Sequence, residues 1–332
     1  MPELNLPIVI ITHTLPMEWI STLDEKCKLF IGPPNAKEWD LNLIDLLPQV
    51  EGLFTLLTIP VTETILQQAP KLRVVSNMAV GVDNIDIKAC TQRKIPVGNT
   101  PGVLTDSTAD LTMALLLSIT RNIPQASLDA REGRWMTWSP SGWLGMELNG
   151  SILGVIGMGK IGKAVARRAL GFGMKIIYTD PEYIDDINAT QVSFEELLKQ
   201  SDIVSLHAPL TPDTRGMINK STLSLMKSSA ILINSARGPL VDTAAIVDAL
   251  QNQIIAAAAL DVTDPEPLPS THILFSLPNC LIVPHIGSAT HKTRRMMAEL
   301  ACLNLLAGLR GEQLLHCANP EVYSMNLAID KS

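Results

Sequence analysis

The stretch SILGVIGMGKIGKAVARRALGFG, residues 151–173, sets a β-branched apolar run before three glycines, Gly157, Gly159 and Gly162, and a run of helix formers after them. Strand, turn and helix in that order are the context in which GxGxxG has a mechanical meaning. Gly157 permits the tight turn, Gly159 lets the backbone approach a pyrophosphate, and Gly162 lets the helix lie close on its strand. The helix N-terminus then offers amides to the phosphates. Gly154, Gly159 and Lys160 also satisfy GxxxxGK, but Ile161 stands where a phosphate-loop NTPase needs a hydroxyl for magnesium. The loop therefore reads as the start of a dinucleotide-binding sheet.

Downstream, KIIYTD ends at Asp180, about twenty residues beyond the glycines, where a carboxylate binds a ribose 2′ hydroxyl and repels a 2′ phosphate. Pro181 and Glu182 follow, with no arginine to accommodate NADP, so NAD is favoured. Five further strands complete an α/β alternation: Lys175–Thr179, 203–206, 231–234, 257–261 and 281–283, after a first at 152–156. Upstream, short apolar runs at 8–12, 28–31, 52–57, 73–78 and 96–99 alternate with amphipathic segments such as 17–27, which predicts a second parallel sheet covered by helices. Helices are expected at 106–121, a candidate interdomain element, and at 291–308, which could pack on either domain.

At 332 residues, two domains are the default, and 46% hydrophobic residues can fill two cores. A net charge of −7 without a dense basic run argues against nucleic acid or anionic membrane as partner. Five scattered cysteines without CxxC spacing fit reduced, inert thiols and no metal site. The amino terminus carries Glu3 rather than a basic leader, and no apolar run reaches the roughly 18 residues that span a bilayer, so a soluble cytoplasmic chain is expected.

The chemistry is read from three residues near strand ends. Arg237, in ILINSARGPLVD, can clamp a carboxylate bidentately and polarise the neighbouring carbonyl. Glu266 sits between prolines in DVTDPEPLP, a rigid loop suited to an orienting group, and His285 closes the last strand. A carboxylate on one imidazole nitrogen fixes the tautomer and stabilises the charged ring, leaving the other nitrogen to exchange a proton. Of six histidines, only His285 combines that position with a carboxylate partner; His207 is expected to line the cofactor crevice.

With VGVDNID at 80–86, NSARG at 234–238, DVTDPEPLP at 261–269 and PHIGSATHKTR at 284–294, essentially the whole chain resembles the D-isomer-specific 2-hydroxyacid dehydrogenases. The resemblance is closest to the glyoxylate and hydroxypyruvate reductases. It implies two doubly wound parallel-sheet domains: a flavodoxin-like substrate domain, 1–102 with 288–332, into which a Rossmann cofactor domain, 103–287, is inserted.

The family reading implies that Arg237 binds substrate, Glu266 supports His285, and His285 is the acid in reduction. Substrate contacts are implied at Leu57, Val80, Gly81 and Ser288, and at Trp138, which looks like the tryptophan that family members extend into a neighbouring subunit in a homodimer. Cofactor contacts are implied at Thr108, Met158, Lys160, Ile161, His207, Ala208, Pro209, Thr214, Ser235, Ala236, Arg237, Asp261, His285 and Gly287, besides the glycines and Asp180. Asp180 departs from NADPH-preferring members. The alternatives are phosphite or another 2-oxoacid as substrate, and a binding protein resembling the NAD-sensing corepressors; their long disordered tail is absent from a sequence that stops at Ser332.

Overall fold

The computed structural model describes residues 6–324. Glu3 and the two ends of the expected substrate domain, 1–5 and 325–332, lie outside them. The chain forms two compact units, one of residues up to 104 together with those from 290 onward, the other of 105–289. The breaks fall two residues after those expected from sequence.

The first unit is a five-stranded parallel sheet of β1 (Ile8–Ile11), β2 (Lys28–Ile31), β3 (Gly52–Thr55), β4 (Val74–Asn77) and β5 (Val97–Gly98). Its order, β2-β1-β3-β4-β5, is the flavodoxin-like one, with a topological switch between β1 and β3. The central strands are buried on both faces, which is why they read as continuous apolar runs rather than alternating ones. Helix His291–Arg310, left open by its periodicity, belongs to this unit. It packs on β3 and β4, and the buried Ser76 hydroxyl donates to the Ala301 carbonyl at 2.7 Å. The amphipathic 17–27 segment is a shorter element than expected, a helical turn at Met17–Ile20 followed by a 3-10 turn at Ser21–Leu23.

The second unit carries seven parallel strands, one more than the six expected: β6 (Ile152–Ile156), β7 (Lys175–Thr179), β8 (Thr190–Gln191), β9 (Ile203–Leu206), β10 (Ile231–Asn234), β11 (Ala257–Leu260) and β12 (Cys280–Ile282). The added strand, β8, is two exposed residues pairing with β7, too short to carry a hydrophobic period. The order β12-β11-β10-β9-β6-β7-β8 reverses direction between β6 and β9, as in doubly wound dinucleotide-binding sheets. Helix Thr105–Thr120 lies within this unit against helix Lys160–Gly171, with Arg168 bonded to Asp106 at 3.0 Å and Asp110 at 2.7 Å.

None of the five cysteines is in a disulfide, and burial pushes the Cys27 and Cys302 thiols up to about 11 and those of Cys90 and Cys280 to about 12. Among the described residues no helix is long and apolar enough to cross a membrane.

Candidate active site

The ends of β6 and β9 flank the switch point of the second unit. Gly157 turns the chain there with φ of +91°. A Cβ on it would stand 2.6 Å from the Ala208 amide nitrogen and 2.8 Å from the His207 carbonyl carbon, so a side chain is excluded by conformation and by space. A Cβ on Gly162 would lie 2.2 Å from the Gly157 carbonyl oxygen, the close helix approach expected of the third glycine. Gly159, the N-cap of helix Lys160–Gly171, is different: nothing lies within 4 Å of where its Cβ would be, and no side chain caps the helix. Uncapped amides facing open space fit the pyrophosphate of a dinucleotide.

Lys160 is exposed and Ile161 half-buried, while the Met158 side chain is in the core, so Met158 presents only its backbone. That backbone is used. The Met158 amide donates to Asp180 Oδ2 at 2.7 Å, and the Glu182 amide donates to Asp180 Oδ1 at 3.0 Å, which fixes the carboxylate beside the glycine turn. Across the turn, His207 Nε2 pairs with the Ser205 hydroxyl at 2.8 Å, and burial pushes this imidazole down to about 4, so it is neutral at physiological pH. Ala208 is buried, and Thr214 closes the following loop by donating to the Pro209 carbonyl at 2.7 Å.

Past β10, the buried Asn234 accepts the Ala236 amide at 3.1 Å and donates to the Arg237 carbonyl at 2.9 Å, bending the chain at the strand end. The Ser235 hydroxyl meets that of Thr112 at 2.8 Å, and Arg237 donates from Nη1 to the Ala236 carbonyl at 2.7 Å. A Cβ on Gly238 would fall 1.9 Å from the Thr263 carbonyl oxygen, so the Arg237 turn and the loop that carries Glu266 touch backbone to backbone. That loop is braced twice more. Thr263 donates to the Pro265 carbonyl at 2.8 Å and Thr243 to the Asp264 carbonyl at 2.6 Å; the peptide bonds before Pro265 and Pro267 are cis.

Glu266 and His285, 19 residues apart, meet: Nδ1 of His285 lies 2.5 Å from Oε1 of Glu266. His285 adopts φ of +52°, an uncommon conformation for a residue with a side chain. Asp261 holds it there. Its carbonyl accepts the His285 amide at 2.9 Å, and its carboxylate accepts the amides of Ile286 at 2.6 Å and Gly287 at 2.9 Å. Burial pushes the Asp261 carboxyl up, opposed by those two amides and by His285. Thr108 completes the cluster, 3.4 Å from the Cβ position of Gly287, and half-buried Ser288 follows.

In the first unit, Leu57 follows β3 and is exposed, while Val80 and Gly81 follow β4 half-buried. The Ala79 carbonyl accepts the Thr100 amide at 2.8 Å, and the Val80 carbonyl accepts from Asn99 Nδ2 at 2.9 Å. Because peptides are planar, these two bonds fix the directions of the Val80 and Gly81 amides. Trp138 belongs to an exposed stretch with Trp135 and Met136; at 79% exposure it fills no core of its own unit. Asp129 anchors that stretch, accepting from Trp143 Nε1 at 2.7 Å and Arg134 Nε at 2.9 Å.

The bracing by Gly238 and Thr243 and the clamp by Asp261 escape the sequence reading, although one signal was present: Asn234 and Asp261 are polar residues closing fully apolar strands.

The chain is similar to known proteins. Residues 113–287 match the model described as D-isomer specific 2-hydroxyacid dehydrogenase, NAD binding domain. A glyoxylate reductase of Thermococcus litoralis is 45% identical over 329 residues, covering 95% of this chain and 98% of the relative. A solved protein of Thermus thermophilus superposes with a TM-score of 0.88 at 43% identity, covering 94% of this chain and 99% of that one. The NADPH-dependent glyoxylate/hydroxypyruvate reductase of Sinorhizobium meliloti, solved with NADP and malonate, gives a TM-score of 0.84 at 32% identity, with 95% and 98% covered.

Proposed function

The chain belongs to the D-isomer specific 2-hydroxyacid dehydrogenases, and from that premise we propose that it reduces glyoxylate and hydroxypyruvate to glycolate and D-glycerate with NADH. The observation that carries this reading is the Glu266–His285 contact at 2.5 Å, on a loop in backbone contact with the turn bearing Arg237. When bound, the reduced nicotinamide supplies the hydride. Arg237 holds the substrate carboxylate by its guanidinium fork. His285, with Nδ1 committed to Glu266, gives a proton from Nε2 to the developing alkoxide, and Glu266 keeps the ring oriented and balances its charge. In oxidation the same nitrogen recovers the proton. Val80 and Gly81 supply amides to the substrate carboxylate, with Leu57 and Ser288 as further contacts.

The preference for NADH rests on Asp180. A 2′ phosphate would approach a carboxylate already fixed by two amides, with Glu182 two residues on. Like charges about 4 Å apart repel by roughly 4 kcal/mol at a surface dielectric near 20. The phosphate sites are the uncapped amides of the helix at Gly159. The other contacts proposed are Thr108, Met158, Lys160, Ile161, His207 to Pro209, Thr214, Ser235, Ala236, Asp261 and Gly287. A homodimer is supported by the exposed apolar stretch around Trp138, larger than isolated surface residues account for.

The test follows oxidation of NADH and NADPH in parallel with glyoxylate, hydroxypyruvate and pyruvate, and with controls that lack a 2-oxoacid. Faster turnover of NADH with glyoxylate or hydroxypyruvate is expected. Faster turnover of NADPH overturns the Asp180 argument, and no turnover with any 2-oxoacid overturns the reaction.

A further inference from the structure

The first unit contains a side-chain network that none of the roles above uses. It joins the loop after β3, which carries Leu57, to the turn after β4, which carries Val80 and Gly81. Asn84 donates from Nδ2 to two carbonyls of the first loop, Leu56 and Ile59, both at 3.0 Å. Its Oδ1 accepts from Asn77 Nδ2 at 3.3 Å, and Asn77 Nδ2 also donates to the Gly81 carbonyl at 2.8 Å. Asn77 is fully buried at the end of β4, and its Oδ1 has no hydrogen-bond partner among the described residues. Such a group costs about 1–3 kcal/mol. On its far side the first loop is held by Thr58, whose hydroxyl bonds to buried His13 Nε2 at 2.9 Å and the Ala36 carbonyl at 3.1 Å.

We propose that Asn84, backed by Asn77, is a positioning residue that sets Leu57 against the Val80–Gly81 turn and so determines which 2-oxoacids are accepted. This inference rests on the functional reading above, in which Leu57 and those amides touch substrate. Asn84 is chemically suited to the task because a single side-chain amide donates two bonds forward and accepts one behind. Two carbonyls spaced three residues apart are thereby fixed on either side of Leu57, whose side chain stays exposed although its backbone is held. An aspartate of the same size would turn a carboxylate toward those two carbonyls and push the loop away. The substituent that distinguishes hydroxypyruvate from glyoxylate, a hydroxymethyl group, is what an apolar side chain at Leu57 would meet.

The experiment measures kcat and KM for glyoxylate and hydroxypyruvate in Asn84→Ala and Asn84→Asp, with the NADH dissociation constant taken by fluorescence on the same samples. Displacement of a substrate contact by an ångström costs up to about 100-fold; a rise of about tenfold in KM is expected, larger for hydroxypyruvate than for glyoxylate. The NADH constant should stay within about twofold, because its proposed ligands lie in the other unit, a selectivity that general loss of structure would not show. Leu57→Ala should add little in the Asn84→Ala background, since contacts in one network are not additive. Should neither Asn84 variant fold, Thr58→Val loosens the same loop from its other side and must raise KM in the same order. Unchanged KM ratios, or full additivity with Leu57→Ala, would overturn the proposal. Absence of glyoxylate turnover in the unmodified protein would instead overturn the functional reading.

Discussion

Gly157 and His285 both turn the chain through positive φ, +91° and +52°, beyond strands of one sheet, and they are built in opposite ways. At Gly157 the backbone of His207 and Ala208 presses so close that a side chain has no room, and glycine meets the requirement at no strain. At His285 the side chain is the point of the turn, so the conformation is held from outside, by the carbonyl and carboxylate of Asp261 on three successive amides. Left-handed backbone costs a non-glycine residue about 1–2 kcal/mol, a strain that survives only where its surroundings fix it. The glycine turn achieves its shape by removing atoms, the histidine turn by adding a buried acid.

Exchanging the two solutions should break each turn differently. Gly157→Ala adds left-handed strain to a backbone clash at 2.6 Å that no rotamer relieves; a loss of about 3 kcal/mol in unfolding free energy is expected by chemical denaturation, with weaker NADH binding. Asp261→Asn turns an amide donor toward backbone amides and should lower kcat about 100-fold while His285 remains, since its ring is displaced rather than removed. His285→Gly should be about 1 kcal/mol more stable than His285→Ala, both lacking the imidazole, because only glycine relieves φ of +52°. Equal stability of that pair would mean that the turn stores no strain.

The smallest effect concerns His207, beside Gly157. Its imidazole, held near 4 in the fold against 6.5 ordinarily, leaves the unfolded chain binding the extra proton between those values. Stability is therefore complete above pH 6.5 and declines as the pH falls toward 4, by about 1 kcal/mol after discounting for partial exposure. His207→Gln should flatten the decline without abolishing it, because burial lowers His13 in the same direction. Denaturation midpoints between pH 7 and 4 report the slope.

The same contrast explains what could be read in advance. A turn made by deletion leaves its mark in composition: three glycines at fixed spacing after an apolar run announced the tight strand-to-helix turn, and Asp180 followed beside it. The strands of both sheets were legible because parallel sheets bury both faces. Glu266 and His285 were paired on residue type and strand-end position, and the structure brings them together. What stayed hidden depends on atoms far apart in sequence. Asp261 precedes His285 by a whole strand, Gly238 shows its constraint only against Thr263, and Asn84 reaches back to residues 56 and 59. The two-residue β8 offers no period at all, and helix His291–Arg310 carries apolar residues that leave its partner undefined until Ser76 and Ala301 meet.

The central claim, that His285 transfers the proton and Glu266 orients it, is tested most directly in His285→Ala with saturating glyoxylate and NADH, the NADH dissociation constant being measured in the same preparation. Loss of a general acid removes about 10²–10⁴-fold, so kcat should fall within or beyond that range while NADH affinity stays within about twofold. A kcat within a few-fold of the unmodified protein would contradict the account.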